Sequence, residues 1–229
     1  MDLPLMIFLH GPGMSPPVWQ DVVSQINPAQ PMVAPWLKGL KPGPRDPADP
    51  KAGVAGFDLS AAAVAILDLM AARDAAQADL IGFSLGGLVA LRVAAMAPDK
   101  IAHVVLVSTP LVPSQKALAR QRMALKLMPA SAFRGVPKEQ VLAGLDALRT
   151  ADIAPDLAAV EAPCLVIVAE SDPLGVASAN GWRQELGAVV RTLPGADDNL
   201  LLTAPAEVAQ LTTDFCSDFL DEAGPPSSG

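Results

Sequence analysis

Apolar positions along the chain fall into two patterns. Short unbroken runs predict buried strands: Leu5-Met6-Ile7-Phe8-Leu9, Met32-Val33-Ala34, Ala78-Asp79-Leu80-Ile81, His103-Val104-Val105-Leu106-Val107, Cys164-Leu165-Val166-Ile167-Val168 and Val189-Val190-Arg191-Thr192-Leu193. Between them, apolar residues recurring every three or four positions predict helices at about 17–30, 60–74, 86–97, 177–186 and 205–221. Strands apolar on both faces and alternating with helices are what a parallel sheet covered on both sides requires, so the fold class is α/β with a mostly parallel sheet of about six strands. Ser60 suits an N-cap, Pro205 a first helical turn, and Pro98 stops the helix before it. The proline-rich stretch Gly39–Gly53 reads as a surface loop and the tail from Gly224 as frayed.

One region breaks the rhythm. Residues 112–155 hold two helical patterns, roughly 114–128 and 138–149, and no strand, which divides the chain into a core (1–111 and 156–229) and a small helical lid (112–155). On the first lid helix, Ala117, Leu118, Ala124, Leu125 and Met128 gather on one side. Lys116, Arg120, Arg122 and Lys126 gather on the other, with Met123 and Leu127 among them. Residues 112–138 carry six basic side chains and no acidic one, while the whole chain has a net charge of −8. A basic patch on an acidic body is read either as a solvated helix face or as a dock for an anionic ligand or acidic partner.

Composition narrows the class further. At 229 residues the chain suits one domain. Although 51% of residues are hydrophobic, no run approaches the ~18 apolar residues of a membrane span. The acidic start Met1-Asp2-Leu3-Pro4 lacks the basic region of a secretory leader, so a cytoplasmic protein is expected. The negative charge argues against a nucleic-acid partner. Cys164 and Cys216 fit buried reduced thiols better than a disulfide or a metal site, and no cofactor is implied. The chain has only two histidines, His10 and His103.

Gly82-Phe83-Ser84-Leu85-Gly86-Gly87 follows a predicted strand and opens a predicted helix, the context a G-x-S-x-G nucleophile turn demands. The turn is so tight that residues two before and two after the serine must be small. It lifts Ser84 Oγ above the sheet edge and aims the Leu85 N–H, at the helix N-terminus, toward an oxyanion. With these residues the chain resembles the α/β-hydrolase superfamily over nearly its whole length. Leu9-His10-Gly11-Pro12-Gly13-Met14 through Val18-Trp19 looks like the family's oxyanion loop, and Ala162-Pro163-Cys164 through Asp172 like the strand and loop that deliver the triad acid. The opening, the elbow and the short lid are similar to those of the pimeloyl-carrier-protein methyl ester esterases of biotin synthesis. The resemblance implies a trimmed sheet without the usual N-terminal hairpin and Ser84 as nucleophile. It also implies Asp172 as acid, with Glu170 a nearby alternative, and His10 as a holder of the oxyanion loop. The implied reaction is hydrolysis of a small ester or acyl substrate, with an acidic acyl carrier protein docking on the basic lid. His10, Phe83, Leu111, Met123 and Leu127 are candidate substrate contacts, although core packing explains such residues equally well.

The chain departs from the family twice. The triad histidine belongs to a segment resembling P-G-A-G-H-L-L-L-L-E-A-P, and Pro194-Gly195-Ala196-Asp197-Asp198-Asn199-Leu200-Leu201-Leu202-Thr203-Ala204-Pro205 matches it without a gap, placing Asp198 where the histidine stands. A carboxylate is a far weaker base than imidazole. A pair such as Asp172 and Asp198 can share a proton but cannot relay one from serine to acid. The second departure is Pro12, which has no N–H to give an oxyanion hole; Gly13 is the substitute donor. Losing one such donor typically costs ~10²–10³ in rate. Three readings follow: a weakened ester or thioester hydrolase, a non-hydrolytic ligand-binding member of the fold, or a hydrolase whose histidine has been deliberately replaced.

Overall fold

The computed structural model describes residues 3–41, 57–111, 115–129 and 138–222. Most of the expected Gly39–Gly53 loop and the whole tail from Gly224 lie outside them. The strands are β1 (Leu5–Leu9), β2 (Met32–Val33), β3 (Ala78–Phe83), β4 (Ile101–Val107), β5 (Cys164–Ala169) and β6 (Val189–Leu193). They form one sheet in the order β2-β1-β3-β4-β5-β6, parallel throughout. The helices are α1 (Gln20–Val23), α2 (Leu59–Ala71), α3 (Leu85–Met96), α4 (Gln115–Leu127), α5 (Lys138–Thr150), α6 (Ala154–Leu157), α7 (Pro173–Leu186), α8 (Leu200–Thr203) and α9 (Pro205–Glu222).

Strand side chains alternate between two apolar layers, as the period of two requires. Leu5, Ile7 and Leu9 join Leu80, Val104, Leu106, Val166 and Val168 on the face covered by α2, α3 and α7, where Trp182 is fully buried. Met6, Phe8, Ile81, Phe83, Val105, Val107, Leu165 and Ile167 face α1, α8 and α9, together with Trp19. Because β1, β3 and β5 are buried along their whole length, both of their faces read as apolar in the sequence. The edge strand β6 is largely exposed, and no described helix is long and apolar enough to cross a membrane.

Three helix expectations change. The helix expected at 17–30 is a 3₁₀ turn over Pro16–Trp19 followed by the single turn α1. The chain leaves the helix because Asn27 Oδ1 accepts from the Ala29 N–H at 3.0 Å and Pro28 has no N–H to donate. Ser60 is not the cap of α2: Asp58 Oδ1 accepts from the Ala61 N–H at 2.6 Å, and a carboxylate also gains from the helix dipole. Ser60 Oγ instead accepts from Arg92 of α3. Arg92 also reaches the Asp152 carbonyl and pairs with Asp156 at 2.6 Å, tying α6 to α3. Finally, α7 starts at Pro173 rather than 177, with proline in the first turn where its missing N–H costs nothing.

Candidate active site

The turn between β3 and α3 is held on both sides. The Ser84 N–H donates to the Val107 carbonyl at 3.0 Å, and the Gly87 N–H returns to the Ser84 carbonyl at 3.0 Å. Ser84 has φ +53° and ψ −115°, a region L-residues rarely occupy, maintained by the packing around it. Gly86 lies against the carbonyls of Leu9 and His10, and Gly82 against the backbone of Gly86 and Gly87, so a Cβ at either position would collide. That is the physical basis of the small residues flanking the serine.

Ser84 opens on a cavity of about 300 Å³. Phe83, Pro12, Met14 and Pro110 line it near the serine, Leu125, Val141, Leu145 and Leu148 come from α4 and α5, and Ser108, Asp172, Asp198 and Asn199 supply polar groups. The cavity therefore brings together Ser84, Asp172, Asp198, Pro12 and Phe83, which stand far apart in the sequence. The Leu85 N–H lies in the first turn of α3, directly after the serine. Gly13, at φ +73°, packs against Val141, and Pro12 packs against Gly144, so α5 rests on this loop.

The two carboxylates sit on linked loops. Asp172 follows β5, its N–H donating to the Ala169 carbonyl at 3.1 Å, and its carboxylate lies against Gly175 in the first turn of α7. It thus lines the cavity and flanks a helix N-terminus at once. Glu170 is exposed and does not line the cavity. Asp198 is exposed at the cavity rim, and its carbonyl accepts from Ser108 Oγ at 3.0 Å. Ser171 Oγ donates to the Ala196 carbonyl at 2.7 Å, joining the Asp172 loop to the Asp198 loop. Ser108, Ser171 and Asn199 are absent from the sequence reading. Ser108 has φ +45°, and its one sequence signal is its place directly after an apolar strand. Asn199 Oδ1 is buried without a hydrogen-bond partner among the described residues.

Four expectations fail on geometry. His10 is not a substrate contact: it is fully buried, Nδ1 meets the Gly11 carbonyl at 3.0 Å, and Nε2 accepts from the Leu37 N–H at 3.2 Å. These partners select the tautomer protonated on Nδ1 and occupy the Nε2 lone pair. Burial pulls the pKa of His10 below its ordinary value, partly offset by the Gly11 bond. Leu111 does not line the cavity; its side chain packs on Gly181, and its N–H donates to Ser178 Oγ at 3.3 Å. Met123 and Leu127 point to solvent, 61% and 81% exposed. The cause lies in α4. Arg122 turns inward, with Nε at 3.0 Å and a terminal guanidinium nitrogen at 3.1 Å from the Asp146 carboxylate of α5, and Leu125 reaches the cavity. At about 100° per residue, 122 and 125 share one side of the helix, and 123 and 127 fall on the other. The same pairing removes Arg122 from the basic face. Lys138 is also committed, its Nζ meeting the Lys126 and Met128 carbonyls at the end of α4. Lys116, Arg120 and Lys126 are exposed; Arg134 lies outside the described residues.

Comparison with known proteins agrees with this architecture. A family model described as alpha/beta hydrolase fold matches residues 4–134. A pimeloyl-[acyl-carrier protein] methyl ester esterase of Neisseria meningitidis serogroup B (strain H44/76) is 36% identical over 101 residues, covering 44% of this chain and 34% of that protein. The match thus spans about a third of the curated relative's length. Its counterpart in serogroup A (strain Z2491) is 37% identical over 101 residues, 44% of this chain and 28% of that protein. Among solved structures, one from a study of carboxylesterases of Nitrososphaera gargenis superposes with a TM-score of 0.80 at 18% identity, covering 96% of this chain and 92% of that one. The enol-lactonase of Burkholderia xenovorans LB400 gives 0.72 at 19%, covering 96% and 92%. With the family model matched over residues 4–134, more than half of its length, the chain belongs to the α/β-hydrolase fold family.

Proposed function

We propose that this protein is a carboxylic ester or thioester hydrolase of reduced activity. Ser84 is its nucleophile, Asp172 its acid, and Asp198 occupies the place of the base. The observation that carries this reading is Ser84, held in left-handed backbone at the tip of β3 and opening on the cavity that also contains both carboxylates. In the reaction, Ser84 Oγ adds to the acyl carbon while the Leu85 N–H faces the developing oxyanion. The alcohol or thiol then leaves with the serine's proton, and water cleaves the acyl-serine to release the acid and restore the hydroxyl. Neither Asp198 nor Asp172 can accept a proton from serine on one atom while donating from another, as imidazole does. Pro12 removes a second contribution, since it has no N–H to give and the Gly13 N–H must stand in for it.

The apolar wall of Met14, Leu125, Val141, Leu145 and Leu148 suits an acyl chain. Residues 112–155 are read as a lid over it. The curated relatives are named for a carrier-protein substrate, and the exposed Lys116, Arg120 and Lys126 suit an acidic acyl carrier protein. The alternative, a ligand-binding member of the fold, is favoured by the coincidence of Asp198 and Pro12 in one site.

Asp198→His tests the proposal. Turnover of short p-nitrophenyl esters and fluorophosphonate labelling of Ser84 are expected to be slow in the parent, to rise at least ~10²-fold in the variant, and to vanish with Ser84→Ala. Fast, Ser84-dependent turnover by the parent would overturn the reduced-activity reading, and no gain in the variant would favour ligand binding. Arg120→Glu with Lys126→Glu should weaken binding of an acidic carrier protein; unchanged affinity would assign those side chains to a solvated face.

A further inference from the structure

Asp79, His103 and Cys216 form a second polar cluster, at the end of the sheet opposite Ser84. Asp79 and His103 are register partners near the starts of β3 and β4. Cys216 comes from α9, which covers this face. All three are buried, at 2%, 3% and 4% exposure. His103 Nδ1 and Asp79 Oδ1 are 2.7 Å apart, one donor atom from each residue lies within 4.8 Å of the other two, and the Phe215 ring stands edge-on to the imidazole. Cys216 belongs to the apolar layer that holds Met6, Phe8, Ile81, Val105 and Leu165, and Thr212, one turn earlier on α9, is buried as well.

We propose that Asp79, His103 and Cys216 form a binding site for a divalent zinc-type cation that clamps α9 to the sheet. A carboxylate, an imidazole and a thiolate are all donors that such an ion takes. Charge supports it: a dication with one thiolate, one carboxylate and a neutral imidazole sums to zero, the condition under which an ion can lie in a low-dielectric core. Geometry supports it as well. Ligand atoms around a tetrahedral zinc stand about 3.3–3.8 Å apart. The His103–Asp79 pair, 2.7 Å apart, therefore opens by ~0.6 Å, and the thiol, within 4.8 Å of both, closes by up to ~1.2 Å. The sheet fixes two ligands rigidly, and the helix brings the third. The fourth position is filled by the second Asp79 oxygen or by water. Nothing in the sequence spacing signals the site, because its residues are 24 and 113 positions apart and meet only through the sheet register and the docking of α9.

Cobalt(II) titrated into the full chain after chelator treatment tests the site. One equivalent is expected to bind with a thiolate-to-cobalt charge-transfer band in the near ultraviolet, and zinc should displace it. Cys216→Ser should abolish the band, while Cys164→Ser, altered on the other face of the sheet, should keep it. Asp79→Asn and His103→Gln should each weaken cobalt binding at least as much as loss of an outer-sphere partner does, about 10–100-fold. Zinc should raise the Tm of the parent and leave that of Cys216→Ser unchanged; Cys216→Ala serves if the serine variant fails to fold. No band in the parent, or a band that survives removal of the Cys216 thiol, overturns the proposal.

Discussion

Trp182→Phe tests how the sheet end beside the candidate site is held. Trp182 of α7 is fully buried, and its indole N–H donates to the Thr109 carbonyl at 3.1 Å. Thr109 follows Ser108, whose hydroxyl holds the Asp198 turn. Phenylalanine keeps an aromatic ring but deletes the donor and several ring atoms. The smaller ring forfeits about 1 kcal/mol of apolar burial, and a buried carbonyl deprived of its partner costs about 1–3 kcal/mol, so the variant should lose about 2–4 kcal/mol. Against a total of about 5–15 kcal/mol for an ordinary domain this is a large fraction. With a urea m-value of about 3 kcal/mol per molar, the midpoint should fall by about 1 M. Trp19 and Trp36 remain as fluorescence reporters, and far-ultraviolet circular dichroism checks that both probes report one transition. A midpoint that moves by less than about 0.3 M at unchanged m would refute the reasoning, because neither the lost burial nor the orphaned carbonyl would then have registered.

Acid should loosen the loop that follows β1. Burial lowers the pKa of His10, so its stabilising contribution is complete above its ordinary value of 6.5 and is lost as pH falls from there through the lower folded value, at no more than ~1.4 kcal/mol per pH unit. Urea midpoints compared at neutral and acidic pH should show this slope in the parent and a smaller one in His10→Asn. Burial pushes the Cys164 thiol up to about 12 from 9.0, so stability tied to it is present below pH 9 and is lost as pH climbs toward 12. Iodoacetamide at pH 8 should accordingly leave Cys164 unmodified in the native chain and alkylate it after unfolding. The Arg122–Asp146 pair is more than a third exposed on both sides, and a double-mutant cycle with alanine should give a coupling of about 0.5–1 kcal/mol that shrinks in high salt.

The central strands were legible because β1, β3 and β5 are buried on both faces and therefore read as continuous apolar runs, independent of context. The turn around Ser84 was legible for a local reason too: its glycines answer to collisions within a few residues or with one neighbouring strand. What the sequence concealed was set by contacts at long range. The rotation of α4, which sends Met123 and Leu127 outward, depends on a salt bridge 24 residues away in sequence. Ser108 and Ser171 gain their roles only when separate loops converge. Leu111, and His10 as a substrate contact, were misread because an apolar or imidazole side chain close in sequence to a cavity can still turn into the core, as the partners of His10 on Leu37 and Gly11 require.

The turn bearing Asp198 is fastened by its main chain: Ser108 holds the Asp198 carbonyl and Ser171 holds that of Ala196. Among the described residues no anchoring bond passes through the carboxylate itself, so exchanging that side chain leaves these main-chain bonds in place. Aspartate and histidine codons differ by a single base. A histidine can therefore arise at position 198, or be lost from it, by one mutation without disturbing the main-chain bonds that hold its loop.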